Sequence, residues 1–213
     1  TTNDTITYSD ISSRFDFPAL TQGSQYGTAV GLAADYNEDG SLNTLQIAAS
    51  APGYQVIFND DEVATINNTT TGGAIFVSTI TRDGEAYDAS ELHIPCHDDQ
   101  LITNAGVPGN TNPRFGYGMA MSADGSTIAV GLNPDNRPEN LMVFRLQNGS
   151  ATLIADENNT ELANGDDFAK TLAVSDDGRV IASSAKVSYA ADGRVYVYKL
   201  NQDGNLYYHN NLL

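Results

Sequence analysis

Basic residues are scarce in this sequence: 10 Lys and Arg stand against 27 Asp and Glu, a formal net charge of −17. Only three are lysines, Lys170, Lys186 and Lys199. So acidic a surface repels phosphate backbones and anionic headgroups, which argues against nucleic-acid and membrane-surface roles. It suits either plain solubility or cation binding. A single cysteine, Cys96, excludes an internal disulfide framework and leaves that thiol free or available for an interchain bond. No apolar run approaches the roughly 18 residues of a membrane-spanning helix, so no membrane insertion is expected. Charged residues make up only 17 % of the chain, few for long amphipathic helices. Nucleophile-elbow, phosphate-loop and dinucleotide motifs are missing, and catalysis is not implied.

What is present is a repeat. Tyr26-Gly27, Phe115-Gly116 and Phe168-Ala169 each open a segment with the same order of features. An apolar run leads to an Asp-Gly pair at Asp39-Gly40, Asp124-Gly125 or Asp177-Gly178. A second run follows, Leu45 to Gly53, Thr127 to Pro134 or Val180 to Ala185, then a third at Gly73 to Val77, Leu141 to Phe144 or Gly193 to Tyr198. Asp-Gly between apolar runs predicts a hairpin, because both residues tolerate positive φ. A fourth stretch, such as Glu91-Leu92-His93-Ile94 or Leu206-Tyr207-Tyr208, completes four short antiparallel strands per unit.

The expected fold is therefore all-β, with four-stranded propeller blades, the alternative being a β-sandwich. One domain spans 1–213, with blade 1 at about 24–94, blade 2 at about 113–157 and blade 3 at about 166–209. Insertions at 54–72 and 95–112 explain the longer first interval. Closed propellers use typically four to eight blades, so three predict a partial ring completed by other blades or other copies of the chain. Two apolar sheet faces should then be exposed, carrying side chains such as Val143, Phe144, Val195 and Val197.

The ordered set of Phe-Gly or Tyr-Gly, Ala-Pro-Gly or Asn-Pro, and Gly-x-Ile-Phe-Val or Gly-Arg-Val-Tyr-Val resembles FG-GAP repeats, the blades of integrin-α-like propellers. The resemblance covers roughly 24–82 and 113–208. It weakens in the third unit, where Ala169 replaces the glycine and Ser183-Ser184-Ala185-Lys186 lacks the Gly-Ala-Pro turn. It implies an extracellular or cell-surface adhesion module that presents loops to a protein or glycan partner.

In the first unit the turn expands to Asp35-Tyr36-Asn37-Glu38-Asp39-Gly40-Ser41-Leu42-Asn43. Oxygen-bearing side chains at the first, third, fifth and ninth positions, with the Ser41 carbonyl, make a hard-cation pattern that suits Ca2+. An EF-hand would need a bidentate Glu at the twelfth position, where Gln46 stands. The resemblance implies the same set, Asp35, Asn37, Asp39, Ser41 and Asn43, with Asn43 where the family usually carries Asp. The bland alternative is a solvated acidic hairpin.

Acceptor motifs for N-glycosylation occur at Asn3, Asn67, Asn68, Asn148 and Asn158, in polar stretches expected to be loops or ends. Together with a first residue of Thr1 they predict a processed, secreted glycoprotein. His93, Cys96, His97, Asp98 and Asp99 gather metal-ligating types, but Pro95 interrupts them, and an inter-blade loop is the simpler reading. Carboxylate pairs such as Asp60-Asp61 and Asp166-Asp167 read as solvated loops. Alternative roles are a structural subunit of a surface glycoprotein assembly or a carbohydrate-active enzyme on a propeller scaffold.

Overall fold

The computed structural model describes residues 23–54, 57–58, 64–65, 72–83, 86–95, 114–132, 140–158, 167–186, 193–201 and 205–212. All of their regular structure is β, in three four-stranded antiparallel sheets and one small hairpin. The first sheet runs β1 (Val30–Tyr36), β2 (Leu42–Ala51), β5 (Ala74–Asp83), β6 (Ala86–Pro95) in spatial order. Between β2 and β5, within the expected insertion, β3 (Ile57–Phe58) pairs with β4 (Ala64–Thr65). The second sheet comprises β7 (Gly118–Met121), β8 (Thr127–Leu132), β9 (Asn140–Gln147) and β10 (Ser150–Asn158). The third comprises β11 (Leu172–Val174), β12 (Val180–Lys186), β13 (Gly193–Leu200) and β14 (Leu206–Leu212). Each sheet is an up-and-down meander in chain order, interrupted in the first only by the β3–β4 hairpin, whereas the strands of a Greek-key sandwich cross between two sheets.

The three sheets share one register. Ala48 opposes Val77, Ala129 opposes Val143, and Ala182 opposes Val197. Because side chains alternate along a strand, each pair lies on the same face of its own sheet, here termed the forward face. Ala48 and Val77 on the forward face of the first sheet pack into a cluster with Ile128, Val130, Met142 and Phe144 on the rear of the second. Ala129 and Val143 then pack against Ile181, Tyr196 and Tyr198 on the rear of the third. The second sheet is thus covered on both sides, and β8, Thr127-Ile128-Ala129-Val130-Gly131-Leu132, is buried at every residue. A strand covered on both faces reads as a continuous run of apolar and small residues.

The stacking is closest at one edge. β7 lies against β1 on one side and β11 on the other, while β6 and β10 touch more sparsely at the far edge. The aromatic segment before each first strand supports the approach. The Gly27, Gly116 and Ala169 amides donate to the carbonyls of Ser50 (2.8 Å), Gly131 (3.1 Å) and Ser184 (3.2 Å) in their own sheets. Phe115 forms a parallel bridge to Gly73 of the first sheet, and its backbone lies where a Gly73 side chain would go. The Ala169 carbonyl likewise lies where side chains at Gly131 and Gly118 of the second sheet would go.

Two expectations need correction. Val143 and Phe144, expected on an exposed face, are buried, since the sheet that carries them lies in the middle of three. At the three Asp-Gly turns only the glycine has positive φ: Gly40 at 82°, Gly125 at 70° and Gly178 at 68°. These turns are closed by Gly40→Asn37, Gly125→Ser122 and Gly178→Ser175 amide-to-carbonyl bonds of 2.9, 3.0 and 2.9 Å. That is a turn followed by a left-handed glycine, not a two-residue type I′ hairpin. The pair with both residues at positive φ is Asn148 (52°) and Gly149 (71°), between β9 and β10.

Candidate functional site

The first hairpin differs from its two counterparts in length. Asp39 lies eight residues beyond Gly31, the partner of Ala48, whereas Asp124 and Asp177 lie four beyond Ala120 and Ala173. At about 3.3 Å per residue, the four extra residues on each arm carry the first turn well past the others. Asp35 to Gly40 are consequently exposed, and Gly40 has open space where a side chain would stand. By contrast, Gly125 abuts the Gln46 side chain of the first sheet, and Gly178 abuts Thr127 of the second.

The five expected cation ligands all lie on this extension, joined in two groups. Asn43 Nδ2 donates to Asp35 Oδ2 at 2.7 Å across the hairpin. Ser41 donates to Asp39 Oδ1 twice, from its amide at 2.9 Å and its hydroxyl at 2.6 Å. Asn37 Nδ2 donates to Ser41 Oγ at 3.0 Å, and the Asn37 amide donates to the Ser41 carbonyl at 2.9 Å. Each carbonyl oxygen has two lone pairs, so this bond leaves the Ser41 carbonyl able to accept again. The Ser41 hydroxyl and amide hold the Asp39 carboxyl below its ordinary value, which favours the anion a hard cation requires. Among the described residues, no three His, Cys, Asp or Glu side chains gather in metal-binding reach. The expected set therefore comprises two carboxylates, Asp35 and Asp39, with the side-chain amides of Asn37 and Asn43 and the Ser41 carbonyl.

The other two turns use the same aspartate differently. Ser122 Oγ donates to Asp124 Oδ1 at 2.6 Å, joined there by the Ser126 amide at 2.9 Å and the Ser126 hydroxyl at 2.8 Å. Ser175 Oγ and the Arg179 amide serve Asp177 at 2.7 and 3.1 Å. A serine two residues before the aspartate thus knits each turn together, and Asn37 stands at that place in the first hairpin. The sequence carries a signal for it, Ser-x-Asp-Gly at 122–125 and 175–178.

Of the glycosylation motifs, Asn148 sits exposed at the tip of its hairpin. Asn158 ends β10, paired with Asn140 in the adjacent strand. Asn3, Asn67 and Asn68 lie outside the described residues, as do Cys96, His97, Asp98 and Asp99. His93, the remaining member of that cluster, lies on β6 with its ring 4.8 Å from Phe76 and Nε2 3.7 Å from Glu91 Oε2. Phe76 is also flanked edge-on by Tyr26 at 5.6 Å and Tyr54 at 5.3 Å, an aromatic group that sequence order alone did not single out. In the third sheet Tyr196 and Tyr198 are core, while Tyr207 and Tyr208 are exposed.

No protein-family model and no curated protein matches the chain. Among solved structures, it is similar to a candidate 6-phosphogluconolactonase from Bacteroides uniformis, at 11 % identity and a TM-score of 0.41. The match takes in 85 % of this chain and 55 % of that one, so the chain spans about half of that structure's length.

Proposed function

We propose that the chain is a calcium-stiffened segment of an FG-GAP-type β-propeller, acting outside the cell as an adhesion or interaction module and not as an enzyme. The three sheets are its blades, and β1, β7 and β11 are their axial strands. The tight approach of those strands, with sparser contact at the far edge, supports this arrangement. The extended first hairpin binds one Ca2+ through Asp35, Asn37, Asp39, Asn43 and the Ser41 carbonyl. The observation that carries this reading is the hairpin itself: it alone is lengthened, and its exposed extension bears oxygen ligands paired across both arms. Magnesium would keep more of its own water and use fewer protein ligands. The exposed loops at the same end are offered to a protein or glycan partner, and a glycan on Asn148 suits a hairpin tip that faces solvent.

Calcium titrated into chelated protein, followed by calorimetry, tests the site. Extracellular modules of this kind work near 10⁻⁴–10⁻³ M, so the expected heat appears in that range and the melting temperature rises with it. Asp39→Ala should abolish both signals, while Asp124→Ala should keep them. Calcium binding that survives Asp39→Ala would sink the assignment. Treatment of the natural product with an N-glycosidase should lower its mass, and an unchanged mass would remove the argument for a glycosylating pathway.

A further inference from the structure

Among the described residues, hairpin turns carry an aspartate or asparagine followed by glycine at Asp39-Gly40, Asp124-Gly125, Asp177-Gly178 and Asn148-Gly149. Such a pair can react with itself. With no side chain on the glycine to hinder it, the glycine amide nitrogen can attack the side-chain carbonyl carbon of the preceding residue and close a five-membered succinimide ring. The outcome depends on whether the nitrogen and the side chain are already engaged.

In the three Asp-Gly turns both reacting groups are occupied. The Gly40, Gly125 and Gly178 amides donate to the carbonyls of Asn37, Ser122 and Ser175 at 2.9, 3.0 and 2.9 Å. The aspartates accept hydrogen bonds from Ser41, from Ser122 and Ser126, and from Ser175 and Arg179. All three carboxyls lie below their ordinary value, and an ionised carboxylate resists attack by a nucleophile.

At Asn148-Gly149 neither group is occupied. Both residues are exposed at the tip between β9 and β10, and within the described residues no hydrogen bond engages the Asn148 side chain or the Gly149 amide. A side chain at Gly149 would meet open space, so no neighbour holds the peptide between the two residues against rotation. The group to be displaced is an amide nitrogen, not the oxygen of a carboxylate.

We propose that Asn148 is a site of spontaneous self-modification by way of a succinimide. The Gly149 nitrogen gives up its proton to solvent and bonds to the Asn148 side-chain carbonyl carbon. The bond from that carbon to Nδ2 breaks, and Nδ2 takes up a proton and leaves as ammonia. Water then adds to one ring carbonyl and breaks its bond to the ring nitrogen, which regains a proton. Opening at the side-chain carbonyl leaves aspartate. Opening at the backbone carbonyl leaves isoaspartate, with the chain running through the former side chain. Either product adds a negative charge, and isoaspartate also lengthens a two-residue turn whose length sets the β9–β10 register. Asn148-Gly149-Ser150 is also a glycosylation motif. On the reading above, a sugar on Nδ2 shields this amide, so the reaction belongs to chains that lack it.

The 213-residue chain made without glycans, held at neutral and mildly alkaline pH and then mapped by peptide mass spectrometry, tests this. The Asn148 peptide should gain the mass of an amide-to-acid exchange, at a rate that climbs with pH, and should split into aspartyl and isoaspartyl forms. Asn43, whose amide donates to Asp35 and which precedes Thr44, should convert many-fold more slowly in the same sample. Gly149→Ala, whose methyl group crowds the nitrogen, should slow the conversion several-fold. If that variant loosens the left-handed turn, Asn148→Gln, which can close only a six-membered ring, should show the same slowing. The pair Asn164-Gly165 lies outside the described residues, and peptide mapping keeps its signal apart. An Asn148 peptide that stays intact, or converts no faster than Asn43, would overturn the inference. So would conversion to aspartate alone, since direct hydrolysis gives no isoaspartate. Because the sample carries no sugar, the glycan reading is judged by its own test.

Discussion

The second and third sheets are built on one register and from similar residues, yet the inner strands of one are core on both faces and those of the other are half surface. Ala129 opposite Val143 and Ala182 opposite Val197 are the same pair, but only the first is sealed by a neighbouring sheet. Residue type therefore does not decide burial here. Position in the stack does, and the same substitution should cost differently at matched sites.

The largest difference is expected at Leu141 and Val195. Leu141→Ala empties a fully buried site between the second and third sheets and should destabilise by about 2–5 kcal/mol in urea unfolding. Val195→Ala, at the matching place on the open face, should stay within about 0.5 kcal/mol. Equal losses would mean that the third sheet is covered after all.

A smaller contrast lies at the close approach between sheets. Gly131→Ala drives a methyl group into the Ala169 carbonyl and should cost about 1–3 kcal/mol. The matching position in the third sheet is Ser184, where a side chain is already accommodated, so Ser184→Ala should change stability little. A neutral Gly131→Ala would show that the two sheets are less tightly apposed than this contact requires.

The least effect concerns acid. Partial burial raises the Asp124 carboxyl, but bonds from Ser122 and Ser126, with Arg145 nearby, outweigh it and hold the group below its ordinary 3.8. A carboxyl depressed in the folded state contributes stability above its unfolded value, and that contribution fades as pH falls through the lower folded value. Melting temperature should therefore drop below about pH 4, and Asp124→Asn should flatten part of that acid limb. Asp39→Asn, at the solvent-exposed end of the first hairpin, should flatten it less. Identical acid limbs for Asp124→Asn and the parent would remove the turn from the account.

Much of the architecture was legible in the sequence because it is local. The three apolar runs around each Asp-Gly pair recur in order, and each run became a strand in the expected sheet. The lengthened first hairpin was legible too, from the distance between Gly31 and Asp39. The turn geometry was misread because Asp-Gly suits more than one loop length, and all three hairpins take the longer loop that ends in a left-handed glycine. Val143 and Phe144 were misplaced for a different reason. An alternating strand announces that it has two faces, and says nothing of how many neighbours will cover them.

The sequence by itself determined the strand order, the pairing within each sheet and the oxygen-rich hairpin, since these depend on residues close along the chain. Only the tertiary structure decided which sheet lies between two others, which glycines meet a foreign backbone, and which apolar side chains remain exposed, as at Val30, Leu32 and Val195. Those outcomes arise from contacts between sheets about 50 or more residues apart, where apolar burial is non-directional and any suitable face can serve as partner until the stack is assembled.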